Sequence, residues 1–531
     1  MKAGGIVPYK RFRITFVMNL GLVLRTAAHL RPAQVAYQLL YRLWKPHYAV
    51  CDAPPHRIPA LRTAPVARYK AMEGDVFTFL NLPHRFSGWN FTDNGMLWAY
   101  NQNYFDFLNQ EGMAAEEGCR WIDRFLADLP GNRVGLDPYP TALRCINWAK
   151  FFCRHPECAT SERDMALFSQ YRLLRRKLEY HLLGNHLLED YFALYILSHY
   201  FEDGRGHDWA AKRLAAELRE QTLPDGAHYE QSPMYHCILL DRLLDCLNFA
   251  PRPELEDFAR RWVGWLRSIC YADGSFPLFN DSAMGVAPVP AKLLDYALRL
   301  GIAGEATPLG ESGYRKLCHG AMEAFVDVGR IAATYQPGHT HADTFGFELR
   351  IGGRPFLVDT GVSTYEKTAR RQYERSTAAH NTVSVGGKDS AEVWGGFRVG
   401  RRPRVTLLRD EATVVEGRHD GFGRKHMHTR RFEMLPGRFV ITDKVSSGAP
   451  ATACFHLSPD AAITDIDGCV VKTRAGWLAF EGATRVEVAE TDVAAEYYRL
   501  QATHTVQVTF CRQLQTVITR ARLLPHEGEL S

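Results

Sequence analysis

Three residues within Gly338-His339-Thr340-His341-Ala342-Asp343 carry side chains able to move protons or hold a metal: His339, His341 and Asp343. On a strand, His339 and His341 would point to one face. Two imidazoles placed so can bind a metal together or divide acid and base work between them. Gly338 would let the backbone bend or come close to a partner. Downstream stand Asp359, in Val358-Asp359-Thr360-Gly361, and His380, in Ala378-Ala379-His380-Asn381. A carboxylate and three histidines can meet across neighbouring strand ends, and that ligand set suits zinc. The competing reading is of loop histidines satisfied by ordinary hydrogen bonds, since single histidines are more often structural.

The elements that must position these residues fall into two halves. At 531 residues the chain is too long for one core. From about residue 92 to 320, apolar residues recur at helical spacing in segments such as Trp98–Asn109, Ala114–Leu129, Tyr139–Arg154, Leu188–Glu202 and Ser232–Ala250. Turn signals such as Pro130-Gly131 and Pro224-Asp225-Gly226 separate them. Many consecutive antiparallel helices close as a solenoid or an (α/α) toroid, and the lack of a strict repeat weighs against the solenoid. Near residue 322 the period switches to two, with expected strands including Thr344–Ile351, Asn381–Val385, Arg430–Leu435, Arg438–Val445 and Thr503–Leu514. The fold class expected is α+β multidomain: an N-terminal (α/α) toroid followed by a C-terminal antiparallel β-sheet, sandwich-like domain. The division expected is 1–75 as a helical arm and linker, 76–320 as the toroid and 321–531 as the sheet domain.

The arm begins with Lys10, Arg11 and Arg13 before an apolar run from Ile14 to Leu24. The run is interrupted by Asn19, followed at once by Arg25 and without a small-residue cleavage site, so it reads poorly as a signal peptide. It is also too short to span a bilayer. Residues 14–44 are read as amphipathic helices packed on the body.

Composition is that of a globular protein, 46% hydrophobic and 23% charged. A net charge of +5 over this length does not mark a nucleic-acid binder. Arg370, Arg371, Arg375, Arg398, Arg401, Arg402 and Arg404 are clustered, and a groove lined by them would attract an anionic polymer; a solvated arginine face is the alternative. The twelve Cys form no C-x-x-C pair, which speaks against a zinc ribbon or redox motif.

The order G-H-x-H-A-D, V-D-x-G, A-H-N-T-V resembles the signature of the heparinase II/III family. Further similarity lies in Leu97-Trp98-Ala99-Tyr100-Asn101 with Tyr104-Phe105-Asp106, in Arg144 and Asn147-Trp148, in Gly184-Asn185-His186-Leu187-Leu188-Glu189, and in Glu230-Gln231-Ser232-Pro233-Met234-Tyr235-His236. The resemblance covers about residues 80–400. It implies a cleft between toroid and sheets, and β-elimination on an acidic polysaccharide containing uronic acid. That reaction needs the uronate carboxylate neutralised, a base for the C5 proton and an acid for the O4 leaving group.

By the same resemblance, Asn185 would donate to the uronate carboxylate, with His186 or Glu189, on the same helix face, able to replace or support it. Tyr235 would be base and acid on one side of the bond and His339 its counterpart, the Tyr activated by a nearby cation. His341, Asp359 and His380 would hold a structural zinc. Glu189, Tyr365, Arg375 and Trp98 are the candidate substrate contacts. Read as residues alone, Asn185 is equally a helix N-cap, Tyr235 follows the helix-start pair Ser232-Pro233, and Trp98 suits toroid core. Two other functions fit the same scaffold: a glycoside hydrolase, which needs two facing carboxylates, and a non-catalytic binding or assembly protein of an exopolysaccharide system.

Overall fold

The computed structural model describes residues 20–521. Helices α1 (Leu20–Ala27) and α2 (Pro32–Leu43) come first. They fall within the amphipathic segment expected at 14–44, of which 14–19 lie outside the described residues. An extended stretch then leads into a small antiparallel sheet of β1 (Met72–Glu73), β2 (Val76–Phe79) and β3 (Leu82–Arg85). This sheet was not expected, because its strands are too short for alternation to register.

Nine helices follow: α3 (Met96–Tyr104), α4 (Ala115–Asp128), α5 (Pro138–Arg154), α6 (Ser161–Leu174), α7 (Gly184–Tyr200), α8 (Gly204–Gln221), α9 (Pro233–Phe249), α10 (Pro253–Ile269) and α11 (Pro290–Arg299). They form the expected (α/α) toroid. Proline opens α5, α9, α10 and α11, where its missing N–H would have had no helical partner anyway. Helices α7 and α9 are buried on nearly every side, as befits helices without a consistent polar face. In α4 and α10 the buried residues instead recur on one face, including Trp121 and Phe125 in α4 and Trp262 and Leu266 in α10.

The sheet domain opens with β4 (Tyr314–His319), β5 (Met322–Asp327), β6 (Phe347–Ile351) and β7 (Arg354–Leu357), antiparallel in chain order. Its first strand therefore precedes the boundary expected at 321. After α12 (Ala369–Glu374) come β8 (Val383–Val385) and a hairpin of β9 (Val393–Trp394) and β10 (Arg398–Val399). The remaining strands are β11 (Val405–Glu411), β12 (Val414–His419), β13 (His428–Leu435), β14 (Arg438–Val445), β15 (Ala451–His456), β16 (Ile463–Asp467), β17 (Val470–Thr473), β18 (Gly476–Glu496) and β19 (Arg499–Arg520). With β8 they make a ten-stranded sheet, in the order β11-β12-β13-β14-β19-β18-β17-β16, with β15 on β19 and β8 on β15. Burial alternates along all of β13, the mark of a strand with one face on a core. Phe347 of the first sheet meets Phe432, Phe439 and Phe455 of the second at centroid distances between 5.7 and 6.3 Å. The two sheets thus stack face to face through aromatic rings.

Candidate active site

His339 and His341 do not lie on a strand; they sit in a turn-rich loop between β5 and β6. They share a carboxylate that sequence reading overlooked. Asp281 Oδ2 lies 2.9 Å from His339 Nδ1, and Asp281 Oδ1 lies 2.8 Å from His341 Nε2. Arg371, on α12, clamps the same carboxylate from the far side with N–H donors at 2.5 and 2.7 Å. Burial alone would push Asp281 towards neutrality, but Arg371 and the two imidazoles prevail and hold it well below the usual carboxylate range. An ionised carboxylate only accepts hydrogen bonds. Both histidine nitrogens that face it therefore carry protons, and the other His339 ring nitrogen, Nε2, lies 3.4 Å from Asn185 Nδ2 and 3.6 Å from Glu230 Oε2. The signal that could have found Asp281 is the polar run Asn280-Asp281-Ser282 set between Phe279 and Ala283.

One helix cap ties this loop to the toroid. Ser232 is the N-cap of α9, accepts from Tyr235 N at 3.2 Å and donates to Asp281 O at 2.7 Å. The helix start read from Ser232-Pro233 thus places Tyr235 in its first turn. The Tyr235 ring stacks on His339, centroids 3.9 Å apart. Its hydroxyl has one long contact, 3.4 Å to Tyr365 Oη, and Tyr365 Oη lies 3.5 Å from His339 Nδ1. Burial raises the Tyr235 phenol above the ordinary tyrosine range. Arg371, the cation whose charge opposes that shift, does not overcome it and is itself paired with Asp281.

Asn185 is not a helix cap. It lies in the first turn of α7, whose N-cap is Leu183. Asn185 Nδ2 donates to Glu230, with oxygens at 2.9 and 3.2 Å, and lies 3.4 Å from His339 Nε2. Gly184, at φ +64°, admits this approach: a Cβ there would stand 2.6 Å from Glu230 Oε1. Asn185, Tyr235 and His339, named from distant parts of the chain, are thus brought together. His186 points beside them, with Nδ1 3.1 Å from Glu179 Oε2 and its ring 4.6 Å from that of Tyr139.

The three expected zinc ligands are neighbours. The rings of His341 and His380 are 5.3 Å apart, and His380 Nδ1 donates to Asp359 Oδ2 at 2.6 Å. Buried His341 Nδ1 and His380 Nε2 have no hydrogen-bond partner, which suits a cation. The Asp359–His380 bond does not suit one, and among the described residues no three His, Cys, Asp or Glu side chains converge as a ligand set.

A cavity of about 770 Å³ collects the catalytic candidates. Asn185, His186, Tyr235, His339 and Tyr365 all line it, with Trp394 and Phe397 from the sheet domain. Its floor carries Arg68, Asp106, Asp241 and Arg242, tied together as ion pairs. Three of the four substrate contacts expected from sequence do not reach it. Trp98 is fully buried, its indole N–H on Leu82 O at 2.9 Å. Glu189 is fully buried and lies 3.6 Å from Arg242. Arg375 is buried and donates to Thr340 O at 2.8 and 3.2 Å, fixing the histidine loop from behind. Each fails for the same reason: a long side chain on an inward-facing position is used by the core. Of the arginine cluster, Arg398 and Arg402 line the cavity, whereas Arg371 and Arg375 are internal.

The architecture is thus a helical toroid joined to stacked antiparallel sheets, with an Asn–Tyr–His cluster lining its cavity. The chain belongs to the heparinase II/III family: residues 166–297 match the family's description Heparinase II/III N-terminus, and residues 302–523 match Heparinase II/III-like, C-terminal. A heparin-sulfate lyase of Pedobacter heparinus is 28% identical over 239 residues, 38% of this chain. That match spans only 36% of the relative's own length. Among solved structures, a heparinase III superposes with a TM-score of 0.63 at 15% identity, covering 96% of this chain and 88% of that one. The heparan sulfate lyase HepC from Pedobacter heparinus gives 0.56 at 15% identity, over 92% and 87% of the two chains. These superpositions establish a shared fold.

Proposed function

We propose that the protein is a polysaccharide lyase that cleaves an acidic, uronate-containing polysaccharide by β-elimination. The observation that carries this reading is the stack of Tyr235 on His339, 3.9 Å between centroids, with Asn185 Nδ2 3.4 Å from His339 Nε2 in one cavity. One N–H of Asn185 is engaged by Glu230. The other faces His339 through a long contact that a substrate carboxylate can replace. An amide donor at that carboxylate favours the enolate that develops as C5 loses its proton. His339, with Nδ1–H held by Asp281, offers Nε2 as the base. Tyr235, kept neutral by burial, offers its O–H to the leaving O4. The C5–H electron pair becomes the C4=C5 double bond as the C4–O4 bond breaks, leaving a 4,5-unsaturated uronate on one fragment.

Asp225, Glu230 and Glu189, the carboxylates that the sequence offers to a hydrolase, do not line the cavity. Asp225 accepts from Gly310 N and Ser312 N at 2.9 and 3.0 Å, and Glu230 accepts from Asn185. Glu189 does not reach the cavity. Relatives named for heparin and heparan sulfate make glycosaminoglycans the first substrates to try. The test is ultraviolet absorbance of the new double bond over a panel of uronate polymers. Absorbance that appears with substrate and enzyme supports the lyase; saturated fragments only, or no cleavage of any polymer, would sink it.

A further inference from the structure

Helix α2 is amphipathic the wrong way round for a surface helix. Its polar side faces the body: Gln34 Nε2 donates to Leu182 O and Tyr335 O at 3.1 and 3.3 Å, Tyr41 donates to Leu178 O, and Tyr37 packs on Tyr180 at 4.6 Å. Its apolar side faces out, with Val35, Leu39 and Leu43 one above the other, Leu40 beside them, and Leu43 89% exposed. Leu20 and Leu24 stand exposed in the same way on α1. Residues 20–50 hold eight of the sixteen exposed large hydrophobic side chains among the described residues. An ordinary surface helix turns its apolar stripe inward, so this face is built for a partner.

Charge indicates which partner. The first 51 residues contain eight Lys or Arg and no Asp or Glu, against 64 and 59 in the whole chain; beyond them remain 56 and 59, a balance of −3. All the protein's net positive charge thus belongs to this segment. Arg25 and Arg31 are paired with Glu392 and Glu220. Arg42 and Lys45, which flank exposed Leu43 and Trp44, have no ion-pair partner among the described residues, and Arg176 lies 6.0 Å from the Trp44 ring. Leucines rimmed by cations fit an anionic bilayer surface, which takes apolar side chains below the headgroups and basic ones at their level. A second copy of this face would bring like charges together.

We propose that the outer face of α1 and α2 docks on an anionic phospholipid membrane. No helix among the described residues is long and apolar enough to cross one, so the attachment is peripheral. The same segment roofs the cavity through Val23, Thr26, Leu30 and Gln34, and Trp394 Nε1 donates to Thr26 Oγ1 at 3.1 Å. Docking therefore sets the cleft at the bilayer surface. The experiment is flotation of the full chain with vesicles of phosphatidylcholine, with or without about 30 mol % phosphatidylglycerol. The expected result is binding to the anionic vesicles at least about tenfold above the neutral ones, weakened in about 0.5 M salt. Leu39→Ser with Leu43→Ser should lose about tenfold or more of that binding, with little change in the thermal unfolding midpoint because Leu39 is more than half exposed and Leu43 nearly fully so. Failure to float with anionic vesicles, undiminished binding by the double variant, or a chain dimer that the double variant dissolves would each overturn the proposal. None of these readouts depends on catalysis.

Discussion

Asp281 accepts a hydrogen bond from His339 Nδ1 at 2.9 Å, so a carboxylate with no exposed surface orients the imidazole that lines the cavity. Asp281→Asn keeps the shape but removes the charge that fixes the proton on Nδ1, and it strands the buried Arg371 guanidinium. The expected loss in kcat is about 100-fold, with a stability cost of about 3–5 kcal/mol from the unpaired arginine. Turnover against pH and chemical unfolding measure the two effects separately. A destabilised variant with normal kcat and an unshifted pH profile would show that the carboxylate only holds the fold.

Tyr235→Phe asks a narrower question. The ring keeps its stack on His339, and the hydroxyl gives up one contact of 3.4 Å. Stability should change little, while kcat falls by about 100-fold to 10,000-fold if the phenol is the general acid. Polymer binding, measured by calorimetry on the inactive variant, should persist. Unchanged turnover would remove Tyr235 from the chemistry and favour a binding protein.

The two-part architecture was legible because it rests on period: helical spacing up to about 320 and alternation afterwards. The Asn185, Tyr235 and His339 set was legible through motif order, and Ser232-Pro233 correctly marked the start of the helix that carries Tyr235. What escaped depends on contacts between distant segments. Asp281 lies 58 positions from His339 along the chain, and the polar run around it does not say which distant side chains it meets. Trp98, Glu189 and Arg375 failed in the opposite direction, since residue type cannot say whether a side chain turns to the cavity or to the core. Tyr235 was expected to be activated by a nearby cation; Arg371 is that neighbour, but it is paired with Asp281 and burial outweighs it, an arrangement visible only in three dimensions.

The stacked sheets carry their own acid-sensitive lock. Arg430 and Asp443, paired across β13 and β14, bond at 2.7 and 2.9 Å, and His428 adds a third contact at 2.7 Å. Burial opposes the charge on Asp443, yet Arg430 and His428 bring its pKa down to about 2. The folded value is below the ordinary one near 3.9, so this contribution is complete above about pH 4 and disappears as pH falls through about 2. It is worth about 2 kcal/mol. Unfolding followed between those limits should steepen with acid in the native protein, and Asp443→Asn, less stable at neutral pH, should show a flatter acid limb. Parallel acid limbs for the two proteins would refute the assignment.

Glu189 works with the opposite sign. Burial pushes its carboxyl up to about 7, and Arg242, 3.6 Å away, only partly restores the charge; neither carboxylate oxygen has a hydrogen-bond partner. A folded value above the ordinary one near 4.3 means that folding takes up a proton, and stability is lost as pH rises from about 4 through about 7. Glu189→Gln removes that penalty. It should match the native protein near pH 4 and exceed it above pH 7 by up to about 3 kcal/mol. Because Glu189 does not line the cavity, KM for the polymer should stay within about twofold of the native value. Melting temperatures at the two pH values settle the sign. A variant less stable at high pH would mean that the Arg242 pair outweighs the burial cost, and a large rise in KM would return Glu189 to the substrate contacts.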